Sequence, residues 1–336
     1  MIFQTKTKAP PVWMMRQAGR YHSHYQNLRA KHSFMDLCKN PELASEVALG
    51  PVQDFDFDVS ILFSDILFPL EALGMGLEYT DHGPRLGFQL NQTTIDKLVP
   101  WADALPKLHF QKEAMILTRQ KISAQKHVTG FIGGLWTLFV YAVEGSHAGS
   151  LVQSKNDYDL FQKFAQIMLP LLKENIRIQF EGGANAVMIF DTAAGEVSPA
   201  LFQKWIAPLM TELAKAYPGK LGYYSKGTQR SFFTKEFLDL PWAGMGFDHR
   251  WNLPNVLNKT ELSTPGFVQG NFDQALLFLP AQEFEKTYRL YLEDYKNLTC
   301  EQRSNWVCGL GHGVLPKTPE ANVRRFVQIT REVFHE

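Results

Sequence analysis

The stretch AVMIFDT, residues 186–192, is a short apolar run that ends in two polar residues. Its first five residues are all apolar, without the alternation of a strand that has one face in water. Unbroken apolar runs of this length are typical of strands buried on both faces of a parallel sheet. AVMIFDT therefore predicts a buried parallel strand whose carboxyl end presents Asp191 and Thr192.

The same pattern recurs along the chain, and stretches with helical spacing, such as 157–183 and 198–219, separate the runs. Eight strands alternating with helices predict an α/β protein with a (β/α)8 TIM-type barrel, and a doubly wound open sheet is the alternative. Residues 77–99, which contain GPRLGFQL, predict a small hairpin outside the barrel, and 320–335 predict a C-terminal helix. The other seven runs are VWMMR (12–16), VSILFSD (59–65), VTGFIGG (128–134), KLGYYSKG (220–227), AGMGFDH (243–249), GFVQGNFD (266–273) and WVCGLGHG (306–313).

Composition excludes several classes of function. The 336 residues carry no net charge, whereas a nucleic-acid-binding protein normally has a basic excess. We find no apolar stretch of the roughly 20 residues that a membrane-spanning helix needs, and no signal-peptide core at the N-terminus. Three cysteines without a CxxC pair indicate a reducing compartment. We expect a cytoplasmic protein that binds neither nucleic acid nor membrane.

Polar residues stand at the ends of the predicted strands, where barrel enzymes place their chemistry. Strand ends meet water in any case, so a single polar residue there is weak support for a site. Arg16, Asp65 and His312 are more informative, because each is embedded in apolar or glycine-rich sequence. Signatures of serine hydrolases, phosphate loops, dinucleotide-binding turns and zinc sites are missing. We therefore predict no cofactor and no metal.

The segment WMMRQAGRY, residues 13–21, places two arginines after an apolar run. Arginine binds carboxylates with a rigid fork of donors that keeps its charge. A site of arginines, one carboxylate, hydroxyls and a histidine suits an organic substrate that carries several carboxylates. Because the chain has no net charge, it must bind anions through a few arginines placed at one site.

Several motifs resemble the uroporphyrinogen decarboxylase family. PVWMMRQAGRY (11–21) is similar to the N-terminal signature of that family, and GFIGGLWTLFVYAVEG (130–145) is similar to its second signature. The order and spacing agree from about residue 10 to the C-terminus. Further motifs that match are FSDIL (63–67), ALGMG (72–76), FDTAAG (190–195), QGNFD (269–273) and GLGHG (309–313).

The resemblance implies one distorted barrel domain over residues 1–336 and a homodimer. It implies a cofactor-free enzyme of tetrapyrrole and heme biosynthesis that converts the four acetates of uroporphyrinogen III to methyls, releasing CO2 and giving coproporphyrinogen III. Asp65 would accept hydrogen bonds from the pyrrole N–H groups and stabilise the cation that forms, and Arg16 is the first candidate for the proton donor, with a substrate carboxyl or water as alternatives. The substrate-binding residues implied are Arg16, Gln17, Ala18, Gly19, Arg20, Asp65, Tyr141, Thr192 and His312.

Some positions depart from the family pattern. Leu135 stands where the second signature has proline, and Thr192 stands where serine is common, although the hydroxyl is kept. A zinc-dependent, corrinoid-linked methyltransferase on the same barrel is one alternative function, but the cysteines lack its His-x-Cys pattern. A non-enzymatic carboxylate-binding protein is another, and such a protein would need the arginines but not Asp65.

Overall fold

The computed structural model describes residue 3 and residues 9–80 and 83–335. Seven parallel strands form one sheet in the order β1-β4-β5-β6-β7-β8-β9. This order follows the chain without the reversal that marks a doubly wound sheet, so the barrel prediction is confirmed and the open sheet is wrong. The strands are Val59–Ile61 (β1), His127–Gly133 (β4), Ala186–Asp191 (β5), Leu221–Ser225 (β6), Gly244–Gly246 (β7), Phe267–Phe272 (β8) and Trp306–Leu310 (β9), and β2 and β3 form a separate sheet.

The eighth predicted strand, 12–16, pairs only at its beginning. Val12 forms a parallel bridge with Cys308 of β9, and its carbonyl accepts a hydrogen bond of 3.0 Å from the Asp58 N–H next to β1. Pairing then stops, because Met15 has a φ of 60° and turns the chain out of the extended conformation. Residues 11–13 thus fill the gap between the first and last strands, while the prediction of a full strand was wrong.

Helices cover the outside of the sheet. The predicted helices at 157–183 and 320–335 are confirmed as α9 and α15, and the 198–219 stretch is helical but broken into three pieces, Pro199–Leu201, the π-helical Phe202–Ile206 and Ala207–Ala216. The α-helices are Ser23–Arg29 (α1), Phe34–Lys39 (α2), Pro41–Phe55 (α3), Phe68–Leu70 (α4), Trp101–Ala104 (α5), His109–Lys121 (α6), Leu135–Glu144 (α7), Val152–Asn156 (α8), Tyr158–Glu181 (α9), Pro199–Leu201 (α10), Ala207–Ala216 (α11), Lys235–Leu238 (α12), Leu253–Leu257 (α13), Ala281–Lys296 (α14) and Glu320–Phe334 (α15).

The hairpin predicted within 77–99 is present. Glu78–Thr80 (β2) and Gly83–Arg85 (β3) pair antiparallel, with Tyr79 opposite Pro84. The turn between them, at 81 and 82, lies outside the described residues. The hairpin follows α4 and a π-helical turn, Glu71–Met75, which lead the chain away from β1.

The barrel strands are buried almost throughout, as their unbroken apolar sequences predict. Strand β5, for example, has Val187, Met188 and Ile189 with no exposed surface. Within the described residues, we find no helix with the length and apolar character needed to cross a bilayer. Polar side chains gather where the strands end, and that rim positions the site.

Candidate active site

Arg16 leaves the barrel wall at the point where residues 11–13 stop pairing. Its carbonyl accepts a hydrogen bond of 2.9 Å from the Val314 N–H, which ties the arginine to the chain after β9. Its side chain lies against Gly313, where a Cβ atom would approach the Arg16 Nε to 2.8 Å. The absence of a side chain at residue 313 therefore makes room for the guanidinium.

Arg16 and Arg20 carry charges that the protein leaves available. Both side chains are exposed, and among the residues that the structure describes neither one forms an ion pair or a side-chain hydrogen bond. Burial lowers the pKa of Arg16, the Asp65 carboxylate raises it, and Arg20 lowers it. A group that water reaches and protein still surrounds lies in a concave site. These two cations are the natural partners for anionic groups of a ligand.

Asp65 lies in the loop that follows β1 and is half-buried. Its Oδ1 accepts a hydrogen bond of 2.9 Å from the Leu67 N–H, which fixes the carboxylate just before α4. Burial raises the pKa of Asp65, while the Leu67 hydrogen bond, Tyr79 and the charge of Arg16 lower it. Asp65 is therefore a half-buried carboxylate whose pKa responds to the positive charge of Arg16.

Tyr141 projects from α7, and a buried aspartate positions that helix. Asp191, at the end of β5, accepts hydrogen bonds from the Thr137 N–H (3.1 Å) and hydroxyl (2.6 Å) in the first turn of α7. Gly134 permits this approach, because a Cβ there would lie 2.5 Å from the Asp191 Cγ. Burial raises the pKa of Tyr141, as does Asp65, whereas Arg16 lowers it. The hydroxyl of Tyr141 thus lies close enough to Asp65 and Arg16 for their charges to affect its pKa.

His312 follows β9 and stacks on Tyr224, with ring centroids 6.2 Å apart and an angle of 12° between the planes. The Tyr224 hydroxyl donates to the Gly311 carbonyl at 2.8 Å, which fixes the support for the imidazole. Burial lowers the pKa of His312 to about 4, with Arg16 as the next cause. Nδ1 is buried without a hydrogen-bond partner in the described structure. At neutral pH, His312 is an uncharged hydrogen-bonding group.

The other predicted binding residues have different environments. The Gln17 side chain is buried and its amide donates to the Val59 carbonyl at 2.8 Å. Its backbone carbonyl accepts from the Tyr21 hydroxyl at 2.7 Å, so only its backbone N–H is left for a ligand. Ala18 is half-buried and packs on a small apolar cluster that includes Tyr25. Gly19 has open space where a Cβ would be, and its φ is not positive. Thr192 is half-buried at the end of β5.

Two other polar residues at strand ends are used within the protein. Asp248 is buried, accepts from the Gly227 N–H at 2.7 Å and pairs with Arg250 at 2.6 Å. The Asn271 amide donates to the carbonyls of Asp248 and Trp251, at 2.9 and 2.8 Å. Like Asp191, these groups hold loops together. Their sequence signal matched that of Asp65, and only their partners distinguish them.

Sequence reasoning missed two groups near the site and underrated a third. Lys226, at the end of β6, is half-buried, forms no ion pair with the described residues, and helps to lower the pKa of His312. The ring of His147 lies 5.5 Å from that of Tyr141. Tyr79, in the hairpin, faces Asp65. Strand-end position signalled Lys226, but nothing in the local sequence signalled His147 or Tyr79.

The arrangement has a defined chemical capacity. Arg16, Arg20 and Lys226 supply positive charge and form no ion pair with the residues that the structure describes, while His312 and Tyr141 add neutral hydrogen-bonding groups. Asp65 is the carboxylate whose charge interacts with that of Arg16. Such a site can bind several carboxylates and still hold one negative charge against a cation that forms in the ligand.

Solved structures that superpose on this chain share its barrel fold. A methyltransferase from Methanosarcina mazei superposes with a TM-score of 0.74 at 19% identity, over 97% of this chain and 94% of that one. A B12-independent methionine synthase from a Shewanella species superposes with a TM-score of 0.52 at 11% identity, over 99% of both chains. At these identities the likeness shows the barrel architecture alone.

Sequence comparison is more specific. The chain is 33% identical to a uroporphyrinogen decarboxylase from Chlorobium phaeobacteroides, over 96% of this chain and 93% of that protein. It is 32% identical to a uroporphyrinogen decarboxylase from Francisella tularensis, over 98% and 96% of the two chains. The family described as "Uroporphyrinogen decarboxylase (URO-D)" matches residues 1–333. The resemblance in the sequence motifs is therefore confirmed, and this chain belongs to the uroporphyrinogen decarboxylase family.

Proposed function

We propose that this chain is a carboxy-lyase that decarboxylates the four acetate side chains of uroporphyrinogen III to methyls, giving coproporphyrinogen III. The observation that carries the proposal is the pair Arg16 and Arg20, which have no counter-ion among the described residues, with the enclosed carboxylate of Asp65 coupled to Arg16. The octa-acid substrate supplies the missing counter-ions. Family membership over nearly the whole chain supports the same reaction.

The reaction needs an electron sink. Loss of CO2 from a pyrrole acetate leaves a pair of electrons on the methylene carbon. Protonation of the adjacent ring carbon first makes the pyrrole an iminium-like cation, which accepts that pair as the C–C bond breaks. A second proton then adds to the exocyclic carbon and gives the methyl group, and the ring carbon releases the first proton, which restores the aromatic pyrrole. The protein must stabilise a cation in the macrocycle and deliver protons.

We assign to Asp65 the role of stabilising the cation in the macrocycle. A carboxylate already held in place by the Leu67 N–H stabilises positive charge without reorganising as that charge develops. It would accept hydrogen bonds from the four pyrrole N–H groups. Arg16, through its charge, favours the ionised form of Asp65 against the effect of burial. Asp65 thus acts as a fixed counter-charge and not as a nucleophile.

The cations and neutral donors around Asp65 bind the substrate carboxylates. Arg16 and Arg20 act from the segment after residue 15, and Lys226 acts from the end of β6. His312 and Tyr141 donate or accept hydrogen bonds without charge, and Thr192 supplies a hydroxyl. The backbone of 17–19 lies beside the ligand, next to the open space at Gly19.

Arg16 is our first candidate for the proton donor. A normal guanidinium is a poor acid, with a pKa above about 12. Burial and the neighbouring Arg20 lower the pKa of Arg16, which makes it a better acid than a solvated arginine. A carboxyl group of the substrate or a water molecule remains the alternative donor. A solvent isotope effect that is lost in Arg16→Lys would favour the arginine.

The direct test is turnover. Purified protein is incubated under anaerobic conditions with uroporphyrinogen III, and the products are oxidised to porphyrins and separated by carboxylate number. We expect stepwise appearance of the seven-, six-, five- and four-carboxylate species, and none with Asp65→Ala. Wild-type protein that binds the substrate without decarboxylation would instead support a carboxylate-binding protein.

The methyltransferase alternative has less support. The methyltransferase that superposes on this chain shares only 19% of its sequence, so it shows the fold and not the activity. Burial raises the pKa of the Cys38 and Cys308 thiols, which disfavours the thiolate that a zinc site needs. Tight, stoichiometric zinc binding without decarboxylation would reverse this preference.

We further propose that the protein acts in the cytoplasm, as one domain and as a homodimer. The neutral chain and the small substrate argue against a nucleic-acid partner. Sedimentation equilibrium should give twice the chain mass of 38.3 kDa. A single species at the monomer mass over the working range of concentration would contradict the dimer.

A further inference from the structure

The hairpin formed by β2 and β3 has no part in the reaction described so far, yet it brings one side chain to the site. Tyr79 lies in β2, opposite Pro84 of β3. Its ring packs edge-on against Phe34 of α2, with centroids 4.4 Å apart and an angle of 62°. Strand pairing and ring packing together fix the direction of the phenol. The Tyr79 hydroxyl and the Asp65 carboxylate are near enough to interact, because each is among the causes of the other's pKa shift.

The surroundings of this hydroxyl are unusual. Its oxygen is buried and has no hydrogen-bond partner of good geometry among the described residues. A buried hydroxyl without a partner costs about 1–3 kcal/mol, so such groups persist where they have a use. In the ligand-free protein the Asp65 carboxylate has one backbone hydrogen bond, from the Leu67 N–H, and room to accept another.

We propose that Tyr79 is a positioning residue that donates a hydrogen bond to Asp65 and so holds this carboxylate ionised and aimed into the cleft. The hairpin is then the part of the fold that delivers the donor. Its effect on the reaction rests on the function proposed above, whereas its effect on Asp65 is a property of the folded protein alone.

The directions of the pKa shifts of Tyr79 and Asp65 agree with a hydrogen bond between them. Burial raises the pKa of Tyr79, and the Asp65 carboxylate raises it further, so the phenol keeps its proton at neutral pH and can donate it to a hydrogen bond. The hydrogen bond favours the charged form of Asp65 and opposes the rise in pKa that burial causes. The titratable groups that face this pair are Arg16, Cys38, Glu71 and Tyr141.

The test is Tyr79→Phe, which keeps the ring that packs on Phe34 and removes only the hydroxyl. Carbon-13 NMR of the aspartate carboxyls, with the Asp65 signal identified by Asp65→Asn, follows the titration in the free protein. A lost hydrogen bond to a carboxylate should move the Asp65 midpoint up by about one pH unit. Tyr217→Phe is the matched control, because its hydroxyl donates to the Lys173 carbonyl and is remote from Asp65 in sequence and contacts.

The pH dependence of activity is a second measurement. The acid limb of kcat/KM should move up by about the same one pH unit in Tyr79→Phe and stay in place in Tyr217→Phe. An unchanged Asp65 midpoint in the NMR experiment would overturn the proposal, whether or not the protein turns over. A shifted midpoint in a protein without decarboxylase activity would uphold it and reject the proposed function instead.

A third measurement covers the case in which Tyr79→Phe does not fold. Tyrosine labelled with carbon-13 at Cζ reports the Tyr79 phenol in wild type and in Asp65→Asn. Loss of the carboxylate should shift this signal at neutral pH. Identical Tyr79 signals in the two proteins would show that the two groups do not interact.

Discussion

Gly313 and Arg16 are in direct contact, so that a Cβ atom at residue 313 would lie 2.5 Å from the Arg16 Cβ and 3.0 Å from its carbonyl oxygen. The second of these atoms is backbone and cannot rotate away. Gly313 therefore sets where Arg16 can lie, although it contributes no side chain to the site.

Gly313→Ala should displace Arg16 and weaken substrate binding. We expect KM to rise about tenfold, because a carboxylate loses its best-placed donor. Steady-state kinetics measure this effect, and thermal unfolding separates it from a general loss of stability. In Gly19→Ala the added methyl meets no protein atom within 4 Å, so the unfolding temperature should stay at the wild-type value. A wild-type KM in Gly313→Ala would mean that Arg16 does not contact the substrate.

Arg16→Lys should also be damaging, since an ammonium does not reproduce the bidentate fork. Loss of one charge-assisted pair predicts a rise in KM of about ten- to a hundredfold. The control is Arg85→Lys, at an exposed arginine that pairs with Glu78 at 3.0 Å in the hairpin. Equal kinetics for the two variants would show that Arg16 has only a structural part.

Asp65→Ala should lose turnover while the fold is kept. Removal of a fixed charge that stabilises a developing opposite charge predicts a fall in kcat of about a hundred- to a thousandfold. Porphyrin product analysis measures the rate, and circular dichroism checks the fold. Asp294→Ala, at an exposed site on α14, is the matched change and should keep the wild-type rate. Near wild-type turnover in Asp65→Ala would remove its assigned role.

His312 should titrate near pH 4 in the folded protein, below the ordinary histidine value, because burial and Arg16 oppose its charge. The unfolded chain binds this proton at higher pH, so His312 stabilises the fold above pH 6.5 and loses that contribution as pH falls toward 4. Proton NMR of the imidazole, identified with His312→Asn, measures the midpoint. A midpoint at the ordinary value would mean that burial and Arg16 do not oppose the charge of the imidazole.

Asp191 should give the opposite dependence. Burial raises its pKa to about 6, so the folded protein binds a proton that the unfolded chain has already released. Stability should therefore fall as pH rises from 4 to above 6, by about 3 kcal/mol relative to Asp191→Asn. Urea unfolding of both proteins across this range measures the difference. A constant difference would show that Asp191 is ionised throughout.

Sequence alone predicted most of the fold, and the site residues that it named stay predictions. Buried runs such as 186–192 identify themselves, because both faces must be apolar. The run at 12–16 was predicted too long, since nothing in its composition signals the turn at Met15. Asp65 and Asp191 follow similar runs, yet the partner that claims Asp191 is Thr137, which is distant in sequence. Tyr79 reaches Asp65 only through the hairpin, and such approaches cannot be derived from local pattern.

The barrel is closed by residues 11–13, which pair with Cys308 near the other end of the chain. During synthesis this segment can meet Asp58 early, but it must wait for Cys308 before both of its neighbours are present. Arg16 follows this segment, and Gly313, which follows β9, sets where Arg16 can lie. In the function proposed above, the arginine that binds the substrate therefore follows the segment that closes the barrel, and an incompletely folded protein should bind its ligand poorly. Binding in turn should stabilise this closure, so a tight ligand should protect residues 11–13 and the chain around Cys308 from proteases together.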